Sequence, residues 1–443
     1  MKTGTVKRFF IMLLICFVRS VCFAHDNTEL VDRPCIVQSV TESSAIVKWK
    51  WIKPLPCRLI YGTSVEYGDT IDGKLGIEMD VLISGLEPST VYYYNLMLYG
   101  APVFPDKEEY RFLTSPSGLQ DTVVFAAIGE TRGGGEKYNY EADHRNVIES
   151  IVRYSNPNLL IHTGNLGDKD DEEGWRRFFF GERNLLRHCP IYPVRGDNDW
   201  GAGEFRSNFA LPVPETPGLP LCYSFTLGPV YFINLDISCA QPDNYYREAI
   251  GPGTLQHKWL TGELRSQKRA GYRFTVVTFQ SPLFPLQQDS RSLTELLFPL
   301  LEQNRVDLVL NGGYREFIYM SRNSIHCFVT GGGGAVLEKA ADTGDNAKYS
   351  RSVFHHLRFK AGFDQLSVEA VDTTGEVFFT QTISALKEKQ SQHQIEKQSQ
   401  EQKELKSAVR ETSSEKKFPR TVAIAAGFFV ILVSSLFISK RRK

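Results

Sequence analysis

Several short apolar runs in the central part of the chain end in glycine or polar residues, and side chains able to bind ions stand at those ends. Carboxylate, amide and imidazole groups hold divalent cations, whereas guanidinium groups suit phosphate and other anions. Because strands of a layered α/β domain end together at one edge of a sheet, we expect these side chains to form one ligand site. They are Glu130, Asn165, Asp197, Asn198, Gln280 and Arg315, with Gly313 at a further position and Arg132 and Arg195 nearby in sequence.

The elements that position these residues are predicted from continuous apolar runs between residues 120 and 384. Runs of this kind are typical of strands buried on both faces. The segment 146–154 is predicted to be a helix between the first two runs. The predicted strands are residues 123–128, 158–163, 190–194, 274–279 and 306–310.

The region 31–115 has a different pattern, in which short runs alternate between apolar and polar residues at intervals of about 8–12 residues. This pattern predicts a β-sandwich with strands at 35–40, 45–51, 58–62, 79–83 and 91–96. Segment 86–92 resembles the loop of a fibronectin type III domain, in which a tyrosine, here Tyr92, ties the corner through a backbone hydrogen bond.

The two ends of the chain carry export and membrane signals. Residues 1–24 combine a basic start, an apolar run and small residues before a cleavage position, as in a signal peptide. Residues 421–439 form an uncharged apolar run long enough to span a bilayer, and the basic residues 440–443 predict a cytoplasmic tail. We therefore expect the main domains outside the cytoplasm, lifted from the membrane by a polar stalk over 385–418.

The composition and the cysteines bear on the binding partners and on disulfides. The 443-residue chain has a formal net charge of +0, which gives no support to nucleic-acid binding. Six cysteines follow the signal peptide, and their even number is compatible with disulfides without fixing a pairing. Cys35 and Cys57 fall in one predicted domain and could pair. The others are Cys189, Cys222, Cys239 and Cys327.

Taken in order and spacing, several segments make the chain resemble a calcineurin-like metallophosphoesterase of the purple acid phosphatase type. The resemblance covers roughly residues 31–384. It implies a fibronectin III-like β-sandwich, then a four-layer α/β metallophosphoesterase domain, here followed by the stalk and a single transmembrane helix. The segments are residues 129–134, 161–166, 193–199, 223–225, 230–236, 256–260 and 330–335.

In such enzymes two metal ions activate a water and clamp the phosphoryl group. The resemblance implies where their ligands should stand, and this sequence departs from the family at each position. Glu130 replaces an aspartate, Asn165 replaces the bridging aspartate, and Asp197 replaces an asparagine. Asn198 stands at the position of the catalytic histidine. Gln280, Gly313 and Arg315 replace three histidine ligands.

These replacements predict a membrane-anchored pseudo-phosphatase that acts as a binding or scaffold protein with an unidentified protein or phosphorylated ligand. No cofactor is expected. Two other functions stay open: an active phosphomonoesterase with an atypical site for iron, zinc, manganese or magnesium, and an adhesion or assembly protein that acts through the fibronectin-like domain.

Two alternative sites and one framework assignment also follow from the residues. An oxygen-only calcium or magnesium site could recruit Glu130, Asp197 and Asp199 together with the acids at 168 and 170–173, although a solvated loop opening a helix explains the latter. Arg132, Arg195 and Arg315 could instead gather an anion, or Arg315 could pair with Glu130 or Asp197. His162, His257, His355 and His356 are interpreted as framework residues.

Overall fold

The computed structural model describes residues 27–56, 58–132, 140–167, 171–199, 202–237, 245–286, 291–341 and 347–385. All of these residues belong to one compact unit. The predicted signal peptide, stalk, transmembrane helix and tail, as well as Cys57, Cys239, Asp168 and Asp170, lie outside the described residues. Within the described ranges, no helix is both long and apolar enough to cross a membrane.

The N-terminal region folds as two packed antiparallel sheets after a short 3-10 helix, Asn27–Leu30. The first sheet has the order β1 (Val31–Gln38), β2 (Ser44–Leu55), β5 (Gly76–Ser84). The second has the order β4 (Asp69–Asp72), β3 (Arg58–Gly62), β6 (Val91–Leu98), β7 (Ala101–Pro102), with β8 (Arg111–Leu113) also paired to β6.

The alternation read from the sequence produces this sandwich, because every second side chain of a strand points into the space between the sheets. Trp49 and Trp51 are fully buried there and meet edge to face, with ring centroids 6.2 Å apart. The hydroxyl of Tyr92 accepts a hydrogen bond from the backbone N–H of Glu87 at 3.0 Å. The tyrosine corner predicted from the sequence is therefore confirmed.

Two mixed sheets form the centre of the second domain. The first has the order β11 (Ile191–Pro193), β10 (Leu159–His162), β9 (Val123–Ile128), β19 (His355–Ala361), β20 (Gln365–Asp372), β21 (Val377–Ser384). The second has the order β12 (Tyr223–Leu227), β13 (Val230–Asn234), β14 (Phe274–Thr278), β15 (Leu308–Asn311), β17 (Ile325–Thr330), β16 (Phe317–Arg322), β18 (Ala347–Arg351).

Helices cover the outer faces of both sheets. They are α1 (Tyr140–Tyr154), α2 (Glu172–Leu186), α3 (Ala202–Asn208), α4 (Tyr245–Ile250), α5 (Leu255–Arg265), α6 (Gln267–Ala270) and α7 (Arg291–Gln303). Apolar residues of α1 and α2 join Ala126 and Leu160 in one core, whereas α5 and α7 pack on the second sheet. Phe125 links the two sheets, since its ring stacks on Phe359 and meets Phe232 edge to face. The layers are thus helix, sheet, sheet, helix.

Parallel strands bring the candidate residues together. β9, β10 and β11 run parallel in one sheet, and β13, β14, β15 and β17 run parallel in the other. Glu130 and Asn165 follow β9 and β10 in the left-handed backbone region, with φ of 54° and 59°. Such a φ is uncommon away from glycine and turns each chain sharply as it leaves its strand.

The sandwich and the second domain make direct polar contacts. Arg33 of β1 is buried, donates to Asn208 of α3, and lies over the ring of Phe179 at 5.2 Å from its centroid. The hydroxyl of Tyr94 donates to the carbonyl of Arg187 at 2.7 Å. The cysteines at 35, 189, 222 and 327 are buried, and Cys57, the partner suggested for Cys35, lies outside the described residues.

Candidate functional site

Asn165 is the hub of the site at the ends of β9, β10 and β11. Its amide Nδ2 donates to both carboxylate oxygens of Glu130, at 2.9 and 3.0 Å, and to Oδ1 of Asp197 at 2.8 Å. Asn165 is 2% exposed, so its bonds to Glu130 are buried, whereas the bond to the half-buried Asp197 is partly buried. One neutral side chain therefore joins the acidic residues that follow two other strands.

The orientation of this amide is fixed by a backbone group. Oδ1 of Asn165 accepts from the backbone N–H of Asn198 at 3.0 Å and from its side-chain amide at 3.2 Å. A backbone N–H can only donate, so a flipped Asn165 would place a donor against a donor. Nδ2 must consequently face Glu130 and Asp197.

Close approach of two loops makes this arrangement possible. A Cβ at Gly196 would stand 2.3 Å from the backbone nitrogen of Asn165 and 2.4 Å from its Oδ1. No side chain fits in that space, which explains a glycine immediately before Asp197. Asp197 also accepts from Nε2 of Gln280, which follows β14, at 3.0 Å.

Glu130 is surrounded by donors. It is 1% exposed, and the backbone N–H of Gly313 donates to its Oε1 at 3.1 Å, while Nε of Arg132 lies 3.6 Å from its Oε2. Burial raises the pKa of Glu130, and the hydrogen bond from Asn165 and the charge of Arg132 oppose that rise. At Gly313, where φ is 85°, a Cβ would stand 2.9 Å from Cδ of Pro282.

Asp199 holds the same loops together by accepting hydrogen bonds from their backbone, a role that the sequence did not indicate. It is 1% exposed and accepts backbone N–H groups of Gly196 at 2.8 Å, Asn165 at 2.8 Å and Leu166 at 3.1 Å. Burial raises its pKa to about 6, against the lowering effect of these hydrogen bonds. The available signal was the spacing of Asp199 two residues after Asp197, and the sequence offers Asp199 only as a possible member of an oxygen-only cation site.

The three candidate arginines are each committed to a different carboxylate. Arg195 makes two hydrogen bonds of 3.0 Å to Asp236, and Arg315 pairs with Glu338 at 2.7 Å. The alternative in which Arg315 pairs with Glu130 or Asp197 is wrong. Anion binding by Arg132, Arg195 and Arg315 together stays a prediction.

The acids that open α2 serve that helix. Asp171 caps its N-terminus by accepting from the backbone N–H of Gly174 at 2.7 Å. Glu172 pairs with Lys50 of the sandwich, and Glu173 lies 3.7 Å from Arg176. An acidic residue at this end also complements the helix dipole. The helix interpretation therefore accounts for these three acids.

Three of the four histidines interpreted as framework residues, His162, His355 and His356, are hydrogen-bonded inside the domain. Nε2 of His162 lies 3.0 Å from Oγ1 of Thr131, and Nδ1 accepts from the backbone of Gly164. His355 lies close to Thr330, and His356 contacts Ser150 and Ser155. Burial above all, together with the neighbouring His355 and Arg358, lowers the pKa of His356 to about 3, and Asp372 opposes this lowering.

The residues at this site do not fit two divalent cations. Glu130 and Asp197, which carry the carboxylates, receive N–H groups from Asn165, Gly313 and Gln280, so positively polarised hydrogens stand where a cation would bind. Among the residues the structure describes, no group of three or more histidine, cysteine, aspartate or glutamate side chains is placed to hold a metal ion. A stable carboxylate–amide network takes the place of a coordination shell.

Comparison with known proteins identifies the fold. Residues 128–313 match the family model described as calcineurin-like phosphoesterase. Purple acid phosphatase 23 of Arabidopsis thaliana is 24% identical over 287 residues, which span 56% of this chain and 58% of that protein. Probable purple acid phosphatase 20 of the same plant is 24% identical over 332 residues, 70% of this chain and 72% of the relative.

Solved structures give the same result. The purple acid phosphatase PPD1 from yellow lupin (Lupinus luteus) superimposes with a TM-score of 0.63 at 17% identity, covering 79% of this chain and 74% of that one. PhoD superimposes with a TM-score of 0.58 at 12% identity, covering 79% of this chain and 92% of that one. Residues 128–313 thus match a calcineurin-like phosphoesterase domain, and the chain is similar to purple acid phosphatases in sequence and in fold, with a β-sandwich ahead of that domain.

Proposed function

We propose that the chain is a membrane-anchored pseudo-phosphatase, a binding or scaffold protein that keeps the phosphoesterase fold without its chemistry. One observation carries the proposal: the Asn165 amide directs N–H groups at Glu130 and Asp197. In the family pattern this position supplies the carboxylate that bridges two metals. Two-metal chemistry requires cations that hold both the attacking and the leaving oxygen.

The substitutions at neighbouring positions also argue against metal-dependent catalysis. Gly313 stands at the position of one histidine ligand of the family, and its backbone N–H donates to Glu130. Arg315 stands at the position of another, and its guanidinium pairs with Glu338. The position of the catalytic histidine is Asn198, which donates to Oδ1 of Asn165. These residues bind one another, and none of them offers a nucleophile or a general acid near a cation.

The test measures metal and turnover on the same sample. The full-length chain, purified in mild detergent, is analysed by elemental mass spectrometry and assayed with p-nitrophenyl phosphate from pH 4 to 8. Iron, zinc, manganese and magnesium are each supplied, and an active purple acid phosphatase is the positive control. We expect less than about a tenth of an equivalent of metal and no turnover above buffer. Two metals per chain with turnover would overturn the proposal.

The membrane part of the proposal rests on the apolar run 421–439 and the basic residues that follow it. Carbonate extraction of membranes from expressing cells should leave the full-length chain in the pellet and release a chain truncated after residue 418. Release of the full-length chain into the supernatant would contradict anchoring by that run.

A further inference from the structure

A carboxyl group interrupts the apolar stripe of α2. The buried residues of this helix recur every three or four positions, as expected for a helix that packs one face on a core. Glu182 stands within that stripe and is fully buried. Because glutamate is rarely buried completely without a partner, this position requires one. The apolar members of the stripe are Trp175, Phe178, Phe179, Leu185 and Leu186.

The residue that faces Glu182 is His144 of α1. His144 is 5% exposed and shares the buried face of α1 with Val147 and Ile148. Its Nε2 lies 3.6 Å from Oε1 of Glu182. The two helices approach closely here, since a Cβ at Gly181 would stand 3.1 Å from Cδ2 of His144. The contact between α1 and α2 at Glu182 and His144, which we call the α1–α2 joint, is therefore a buried pair of titratable side chains.

The hydrogen bonds of His144 show what its Nε2 presents to the glutamate. Nδ1 lies 2.8 Å from the carbonyl oxygen of Gly333, and a carbonyl only accepts, so Nδ1 carries a proton. Nε2 of the neutral ring is then an acceptor, and an ionised carboxylate is also an acceptor. Among the described residues, neither Nε2 nor either oxygen of Glu182 has a hydrogen-bond partner. Two buried acceptors that face each other without another donor require a proton between them.

Burial decides which of the two groups carries that proton. An imidazolium facing a carboxylate would place two charges in the core, where the loss of hydration penalises both. A neutral carboxyl that donates to a neutral ring avoids this penalty. Burial raises the pKa of Glu182 well above its ordinary value. Burial also lowers the pKa of His144 to about 4, against the opposing effect of the hydrogen bond to Gly333.

The other titratable groups around the joint do not supply a compensating charge inside the core. His162 of β10 is buried, and burial keeps its pKa well below the ordinary value, so the ring is neutral. Burial likewise raises the pKa of the Cys189 thiol, which stays protonated. Arg145 and Arg183 follow the two members of the pair in sequence, and both are exposed. The charge of Arg145 lowers the pKa of His144 further.

We propose that a proton carried by Glu182 and donated to Nε2 of His144 holds the α1–α2 joint together, and that the joint loosens as pH rises. Loss of this proton would leave an ionised carboxylate facing a lone pair in the core. The inference concerns a conformational device outside the substituted site. It does not depend on the pseudo-phosphatase proposal and holds whether or not that site binds metal.

The direction of the pH dependence follows from proton linkage. When the joint opens, Glu182 meets solvent and regains an ordinary pKa of about 4.3, and His144 regains one of about 6.5. Between these values the proton released by Glu182 is taken up by His144, so opening is nearly independent of pH. Above about pH 6.5 opening releases one proton, and its equilibrium constant rises about tenfold for each pH unit until the buried carboxyl itself ionises.

Hydrogen exchange of the α1 amides in the full-length chain, purified in mild detergent, measures this opening. Rates are followed by mass spectrometry from about pH 6.5 to 8.5 and divided by the intrinsic exchange rate at each pH. The test variant is Glu182→Gln, because glutamine has nearly the same shape, cannot ionise and offers an N–H group to Nε2 of His144. Glu149→Gln on α1 is the matched control, since Glu149 is exposed.

Protection of the α1 amides should fall at least about tenfold across this range in the wild-type chain and in Glu149→Gln. In Glu182→Gln it should change by less than about threefold, because no proton is released there. Protection that is independent of pH in the wild-type chain would overturn the inference. An equal fall in the wild-type chain and Glu182→Gln would also overturn it, because the titrating group would then lie elsewhere.

Infrared difference spectra between the wild-type chain and Glu182→Gln at pH 7 locate the proton directly. We expect the C=O stretching band of a protonated carboxyl group, present in the wild-type chain and absent from the variant. Carboxylate bands in its place would overturn the inference, since the pair would then be ionised. Thermal melts show whether Glu182→Gln folds. Glu182→Leu, which continues the apolar stripe, replaces it if it does not, with the same expected loss of pH dependence.

Discussion

Replacing Asn165 by aspartate is a one-atom change at the centre of the site. In Asn165→Asp, an oxygen takes the place of Nδ2, while the other oxygen still accepts from the backbone of Asn198. Aspartate tolerates the left-handed φ of 59° about as well as asparagine does. The variant therefore changes only what faces Glu130 and Asp197. Each of the two carboxylates loses the hydrogen bond from Asn165 and meets a third carboxylate, while Gly313 and Gln280 still donate to them.

The size of the effect follows from the distances. Like charges about 3 Å apart repel by about 5 kcal/mol at an effective dielectric constant of about 20. The cluster avoids this repulsion by keeping one carboxyl protonated. For an ordinary pKa of about 3.9, that costs about 5 kcal/mol at pH 7.5 and about 1.5 kcal/mol at pH 5. Since the shared proton raises the folded-state pKa, stability is lost as pH rises.

Urea denaturation in the presence of a chelator measures this difference. Asn165→Asp should lower the free energy of unfolding by about 5 kcal/mol at pH 7.5, but by only about 1.5 kcal/mol at pH 5. Asn156→Asp is the matched control, since Asn156 is exposed, has a φ of 41°, and should change stability by less than about 0.5 kcal/mol. Wild-type stability of Asn165→Asp at both pH values, or a larger loss at pH 5, would refute the reasoning.

Three further predictions concern the framework. The buried neutral His356, with a pKa of about 3 against an ordinary 6.5, makes stability fall as pH drops below 6.5. His356→Gln should remove about 2–3 kcal/mol of the loss between pH 7 and 4.5 in urea titrations, and an unchanged slope would contradict this. Tyr92→Phe should cost about 1 kcal/mol in the same assay by leaving Glu87 N–H without its acceptor, whereas no loss would remove the role of the corner. Asp199→Asn should cost about 2–4 kcal/mol, because one amide oxygen replaces two carboxylate oxygens among several N–H donors, and a neutral effect would show that those bonds are dispensable.

Much of the fold could be predicted because strand periodicity and burial agree along the chain. The run 123–128 became β9 with the same bounds, and 58–62 became β3. The helix predicted at 146–154 starts earlier, at Tyr140, because its first turns carry polar residues that contribute little to an apolar pattern. Element ends depend on capping and on contacts with neighbouring loops, which a periodic pattern does not encode.

The positions of the site residues could also be predicted, but their partners could not. Their places at strand ends predicted that Glu130, Asn165 and Asp197 lie close together. In the structure the side-chain amide of Asn165 donates hydrogen bonds to both acids. The partner of Arg315 is Glu338, 23 residues later, because a loop beyond the sequence motif folds back onto it. Long-range pairings of this kind depend on loop paths, and spacing along the chain does not determine them.

The network around Asn165 explains how the fold can persist once metal chemistry is lost. In a two-metal site the cations neutralise clustered carboxylates and cross-link the loops that carry them. Removal of the cations alone would leave those carboxylates repelling one another in a buried place. Here Asn165 Nδ2 and the backbone N–H of Gly313 supply neutral donors to Glu130, and Asn165 also ties Asp197 into the same cross-link. Each donor points at a carboxylate that a cation would have to bind. We therefore expect that replacing a single residue by its counterpart in the family destabilises the loops without creating a metal site. If the chain is a pseudo-phosphatase as proposed, the loss of metal is built into several loops at once, and restoring a metal site requires concerted changes at Asn165, Gly313 and the strand ends that face them.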